Sequence, residues 1–281
     1  MQQPGDTDPT GCLWTVVAAA VAVIAVAVLV VVHMVRDVAN VSEHVDRLVA
    51  ELGPIAAYTP PADGEIPPAR IEAYLAVRED MQPQLEELER ELEVLGNADD
   101  TNLDPLGSAP GAVRAGVGLL PRLMEFSRVR ADAQLEHRVG SGEYLYLYVV
   151  TSYGWLGGSP ADGPPFRMFG DGPDDRREDE FEVRDARAER VIEWTRSWIV
   201  PMLSRQLAAA ARAGVPEGDA WRIALESELA ALHADRWRLP WADGLPAPLA
   251  RSLDRYRSRI ESTYRPLCNP LEIEGVRPRR E

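Results

Sequence analysis

Between Leu13 and Val32 the chain runs for twenty residues with a single polar side chain, Thr15, and no charge occurs from Asp8 to Arg36. As a helix, Leu13–Val35 is about 34 Å long at ~1.5 Å per residue, enough to cross a bilayer core of roughly 30 Å. Val, Ala, Ile and Leu occupy every face of it, whereas a helix on a soluble core carries one apolar stripe. Lipid is the solvent expected for such a segment, because a helix satisfies its own backbone. The chain thus divides into a short polar tail at 1–12, a transmembrane helix at 13–35, and 246 residues beyond it.

The span reads as a retained anchor. A secretory signal has a basic leader, an apolar core of about 7–15 residues and a small-residue cleavage site. Here the leader carries Asp6 and Asp8 with no arginine, and the apolar run is too long. Cleavage behind Ala39 would put Asp37 where a small residue is wanted, and Cys12 precedes the apolar core instead of following it, as a lipidated cysteine would. Orientation is contested between two signals. Arg36 and Arg47 on the C-terminal flank favour a cytoplasmic domain by the positive-inside rule. They are interleaved with Asp37, Glu43 and Asp46, and a short tail, one span and a large domain is the layout of a signal anchor. The expectation is an extracytoplasmic domain on a bacterial inner membrane.

All 30 basic residues are arginine, with no lysine, which fits the codon bias of a GC-rich bacterial genome. The net charge of −15 repels phosphate backbones and anionic lipid heads, so nucleic acid is excluded as a partner. Two cysteines, Cys12 and Cys268, make no disulfide framework.

Beyond the span, Val31, Met34, Val38, Val41, Val45, Leu48 and Leu52 recur at alternating spacings of 3 and 4. β-Branched residues at one seam position and bulkier ones at the other suit a parallel two-stranded coiled coil. An amphipathic stalk helix over 36–52, ending at Gly53-Pro54, either dimerises through this seam or packs on its own domain. A linker with five prolines follows at 53–68.

The remaining chain, 69–264, reads as an all-α, multi-helix bundle domain. A helix over Ala69–Leu95 carries the seam Ile71, Tyr74, Arg78, Met81, Leu85, Leu88, Leu92 and Leu95. Arg78, its one charge, is expected to snorkel at the edge, and Pro83 to kink or split the helix. A second helix fits Val113–Val139. Tyr144, Tyr146 and Tyr148 alternate with Leu145, Leu147 and Val149 as in a strand, but a lone strand lacks a partner, and a helix from Ser141 to about Tyr153 is preferred. The loop 154–177, rich in Gly, Pro and Asp, is a possible internal boundary. Helices then fit Glu178–Ala213, Asp219–Trp237 and Pro248–Tyr264, and the tail 265–281 is expected to be extended.

No motif names a chemistry. His33, His44, His137 and His233 lack paired-ligand spacing, so no metal site is indicated, and there is no GxSxG, Walker loop or GxGxxG. The acidic run at 100–111 breaks the EF-hand pattern at Pro105 and Gly111. Pairs such as Glu189 and Glu193 lie among arginines and read as ordinary ion pairs. The best candidates for a ligand or partner surface are Trp194, Trp198, Trp221, Trp237, Trp241 and His233. These features predict a membrane-anchored, non-enzymatic helical protein of the cell envelope, a scaffold, adaptor or ligand-binding module without a cofactor. Its partners would be the bilayer through 13–35, a second copy through the stalk, and an envelope protein or ligand. The alternative is a membrane-tethered enzyme with an acidic site under the 154–177 loop.

Overall fold

A computed structural model describes residues 41–99, 109–164 and 180–274. The segments 1–12 and 13–35, the seam residues Val31, Met34 and Val38, the acidic residues 100–105, most of the 154–177 loop and the end of the tail lie outside them. No helix among the described residues is long and apolar enough to cross a membrane.

The described residues form helices and loops, with no strand. Helical residues 41–52 (α1) lead through a short turn to α2 (Pro68–Asp99) and α3 (Ala109–Glu136). There follow α4 (Ser141–Tyr148), α5 (Glu180–Arg212), α6 (Ala220–Ala234), α7 (Ala247–Leu253), α8 (Arg257–Thr263) and α9 (Asn269–Glu274). The pairs Asp80–His137 at one end and Glu87–Arg122 at the other set α2 and α3 antiparallel.

The seam of α2 forms as its spacing requires: Ile71, Tyr74, Met81, Leu85, Leu88 and Leu92 are all buried. The helix runs unbroken past Pro83, so of the expected kink or split the split does not occur. Pro83 lies on the exposed face, so the carbonyl of Glu79 that it deprives of a hydrogen bond is open to water.

At the centre lies α4, continued without a break by a π-helical stretch, Val149–Trp155. Every residue from Ser141 to Tyr153 is buried, which explains the strand-like alternation. A helix enclosed on all sides has no solvent face to impose a 3.6-residue period. Gly142 lets the turn at Ile55–Ala57 approach: a Cβ there would lie 2.5 Å from the Ile55 carbonyl oxygen and 2.7 Å from Tyr58 Cβ.

α5 passes Pro201 and stops where Gly214, at φ +80°, closes the C-terminus through Val215 N–H to Ala210 O (3.0 Å). Asp219 caps α6 by accepting from Trp221 N–H at 2.8 Å. The helix expected over Pro248–Tyr264 is two, α7 and α8, joined by a tight turn at Asp254–Tyr256.

Two further expectations are corrected. The tail is not extended: Pro266–Cys268 makes a helical turn and Asn269–Glu274 forms α9, with Cys268, Asn269, Leu271, Glu272 and Ile273 buried. Prolines 266 and 270 sit at the starts of these turns, where no backbone N–H is needed. Arg78 does not snorkel. It is 2 % exposed and ion-paired with Glu272, itself 1 % exposed, so α9 supplies the carboxylate that a buried guanidinium demands.

The stalk is docked as well. Leu48 is 2 % exposed within the single chain, His44 Nδ1 meets Asp132 Oδ1 of α3 at 2.6 Å, and Arg47 reaches the same carboxylate at 3.4 Å. The end of α1 packs on the turn after α3, where the position of a Gly140 Cβ lies 3.2 Å from Leu52 O. Of the seam residues described, Val41 and Leu52 are half-buried and Val45 is 37 % exposed. Leu48 is therefore withdrawn from any seam between two copies.

Candidate functional site

The strongest electrostatics of the domain lie in its interior, around α9. Arg78 Nη1 contacts Glu272 Oε1 and the Tyr144 hydroxyl (3.1 Å), and that hydroxyl donates to Glu272 Oε2 at 2.7 Å. The Arg78 guanidinium also lies 5.3 Å from the Tyr148 ring centroid. From α3, Arg130 donates to the carbonyls of Leu271 and Glu272 at 3.3 Å each. Asn269 accepts from Tyr148 and Tyr153 at 2.8 Å each and donates to Ser159 O at 3.2 Å. From α5, Trp194 Nε1 donates to Ile273 O at 2.9 Å. Four elements thus grip one short helix.

Burial works against the charge on Arg78, but Glu272 and the neighbouring phenols hold the guanidinium protonated, well above its ordinary value. Burial, reinforced by Glu272, pushes Tyr144 far up, and Tyr148 likewise. The Cys268 thiol is raised by burial and then by Glu272 and Glu89, which makes it a poor nucleophile. Each acid, amide and hydroxyl in this cluster is engaged by another part of the fold, so its role is to lock α9 against α2, α3, α4 and α5.

The described part of the 154–177 loop is tied down in the same way. Its acid, Asp162, accepts from the Tyr264 hydroxyl (2.9 Å) and from Ser159 N–H (2.9 Å), while Arg187 donates to the carbonyls of Ala161 (3.0 Å) and Pro164. Burial and then Asp162 push the Tyr264 phenol up. The remainder of that loop, with Asp171, Asp174 and Asp175, lies outside the described residues.

A surface groove of about 500 Å³ opens at the start of α6. Trp221 contributes to its floor with Val215, Pro216, Ala224 and Pro246, and Asp63, Glu65 and Asp219 stand at its edge. Arg251 also stands there, paired with Glu65 at 3.2 Å. The groove is built by two chain reversals. Gly64, at φ +75°, brings the 61–65 turn against the Trp221 ring, to within 2.6 Å of where its Cβ would be. The indole N–H of Trp221 then donates to Ala62 O at 2.9 Å. Apolar walls and a carboxylate rim suit an apolar segment with flanking positive charge; this arrangement contains no nucleophile beside a base.

The tryptophans do not form one surface. Trp198, Trp221 and Trp241 are buried in the core, Trp221 and Trp241 with ring centroids 6.1 Å apart, and half-buried Trp194 serves α9. Their size explains this: an indole removes more apolar area from water inside the bundle than anywhere else. Among the described tryptophans only Trp237 projects, 42 % exposed, with Arg236 stacked 4.1 Å over its ring. His233 is exposed, and its Nδ1 is matched to Leu229 O of its own helix at 2.7 Å. The segment after it, HADRWRLPW, folds back on Glu228, which accepts from Arg238 and from Trp241 N–H (2.9 Å) and so holds Trp241 at φ +62°. Of the candidate surface, Trp221 lines the groove and Trp237 stands exposed elsewhere.

Sequence reasoning missed the prolines of the groove and Glu272. The signals were present: Pro216, Pro246 and Pro248 cluster at helix starts, and Glu272 stands alone between Leu271 and Ile273. No family model, curated protein or solved structure matches the chain.

Proposed function

We propose that this chain is a single-pass protein of a bacterial inner membrane whose extracytoplasmic helical domain is a docking module, a scaffold or adaptor without catalysis of its own. The observation that carries the reading is the groove at the start of α6, apolar at its floor and acidic at its rim. Its volume lies in the ~300–1,000 Å³ range of ligand sites. The buried charges of Arg78, Arg130 and Glu272 are engaged in holding α9. A partner segment with an apolar side chain for the Trp221 floor and arginine or lysine beside Asp63 and Asp219 is the occupant this chemistry favours.

The anchor adds geometry to this reading. Span 13–35 and docked α1 are separated only by residues 36–40, which reach at most about 20 Å even when fully extended. The domain would therefore ride close to the bilayer with its α1–α3 side nearest the membrane, and its partners would be membrane-bound or recruited there.

A photo-crosslinking residue at Ala224 or Ala247, both in the groove, tests the reading in cells carrying the full chain. The same residue at Ser258, exposed on α8, is the control. A discrete adduct at the groove positions alone is expected, lost when Asp63 and Asp219 are changed to Asn. Equal labelling at all three positions, or none at the groove, overturns the docking reading.

A further inference from the structure

The antiparallel pairing of α2 and α3 brings together three side chains whose sequence spacing gives no hint of a common site. Asp80 comes from α2, Glu136 is the last residue of α3, and His137 follows it. One ligand atom from each, two carboxylate oxygens and an imidazole nitrogen, lies within 4.8 Å of the others, and His137 Nε2 stands 2.7 Å from Asp80 Oδ2. We propose that Asp80, Glu136 and His137 form a site for one divalent metal ion of the zinc class, bridging α2 to the end of α3.

Ligand geometry supports the assignment. Bonds of ~2.0–2.2 Å in a tetrahedral site place ligand atoms about 3.3–3.6 Å apart, so modest side-chain rotations would complete the shell. One imidazole with two carboxylates suits zinc or its transition-metal neighbours and is poor for calcium, which takes six to eight oxygens. With three protein ligands, further positions fall to water or to a ligand from outside.

Charge supports it independently. The other acids along this part of α2 are matched by arginine: Glu72 and Glu79 by Arg259, Glu86 and Glu89 by Arg265, Glu87 and Glu91 by Arg122. Asp80 instead faces a histidine. Glu136 and His137 close α3, where the helix dipole is negative and a cation is favoured. The ligand backbone is firmly held. The turn after α3 is locked by Val139 N–H to Gln134 O (2.8 Å), and the Arg138 carbonyl accepts from Arg70 at 2.9 Å. That same arginine forks onto Glu143. One turn earlier, Asp132 holds α1, so an ion here would stiffen the base of the domain on its membrane side.

The test is calorimetric titration of the untagged full chain in detergent micelles with Zn²⁺, with Ca²⁺ as the competing ion. One Zn²⁺ per chain is expected, indifferent to excess Ca²⁺. His137→Gln and Asp80→Asn should each weaken binding by about tenfold or more, and Glu136→Gln should weaken it in the same direction. His233→Gln, at an exposed histidine elsewhere, should leave it unchanged. A Zn²⁺-induced rise in the thermal midpoint should accompany binding in the unmodified chain and vanish in His137→Gln. Because Asp80 and Glu136 are exposed and His137 is only half-buried, the variants should keep the fold, which the midpoint without metal verifies. No binding at ~100 µM free Zn²⁺ overturns the proposal, as does an affinity that the three substitutions leave unmoved or equal affinity for Ca²⁺.

Discussion

Replacing Glu272 by alanine should unfold this domain more readily than the loss of any surface ion pair. The carboxylate is 1 % exposed, binds Arg78 and accepts from the Tyr144 hydroxyl at 2.7 Å. Its removal strands a guanidinium with no access to water, and breaking a buried pair in this way costs about 3–5 kcal/mol. For a domain of this size, a loss of that order lowers the thermal midpoint by roughly 6–20 °C. Uncoupling the charge is the control. Arg78→Met with Glu272→Leu removes both ions together, leaves the Tyr144 hydroxyl and the Thr263 carbonyl, which accepted from Arg78, without those partners at a cost of about 1–3 kcal/mol each, and should recover part of the loss. Adding Tyr144→Phe removes the first of these two groups. Truncation after Tyr264, harmless if the tail were extended, deletes Asn269 and Glu272 together and should be at least as damaging as the single substitution. Urea unfolding of the full chain in detergent, followed by tryptophan fluorescence, reads all of these. The reasoning fails if Glu272→Ala lies within about 1 kcal/mol of the parent, or if the double substitution is as unstable as the single one.

Two further outcomes are expected, one from the structure and one from the proposed orientation. Burial raises the phenols of Tyr58, Tyr74, Tyr144, Tyr146, Tyr148 and Tyr264, six of the eight tyrosines. The unfolded chain ionises them near their ordinary value of about 10, while the folded chain keeps its protons. Their contribution to stability is thus fully present below that value and is lost as pH rises above it. An absorbance titration of phenolate should show most tyrosines ionising together with unfolding; six independent titrations without unfolding would contradict the burial. For orientation, a reporter active only outside the cytoplasm, fused at the C terminus, should be active and its cytoplasmic counterpart silent. The reverse pattern would place the domain inside the cell and require a cytoplasmic partner.

The periodic parts of this fold were legible from the sequence. The seam of α2, the Asp219 cap and the Gly214 stop are local patterns, and all three formed where spacing and residue type put them. The lone arginine at position 78 even announced that a carboxylate would be needed if it were buried. Its partner lies 194 residues away on a helix of six residues that begins among prolines, and no local pattern encodes such a pairing. The stalk illustrates the same limit from the other side. A 3–4 repeat names an apolar stripe but not what covers it, and Leu48 turned out to be covered by the chain's own domain. At the candidate groove, Trp221 was singled out by residue type; the Pro and Ala walls were not, because they carry no chemistry until two distant turns bring them together. The approach of His137 to Asp80 is likewise a product of how α2 and α3 pair.

The proposed membrane geometry requires that α1 belong to the domain. Short-reach crosslinking in native membranes tests it most directly, using a chain with Cys12→Ser, since Cys268 is buried. The pair His44→Cys with Asp132→Cys should crosslink within one chain in high yield, and single cysteines at Val38, Val41 and Val45 should give no ladder of dimers with 3–4 periodicity. Efficient dimers at Val38, Val41 and Val45 without the 44–132 link would contradict the account and restore the stalk as a free coiled coil.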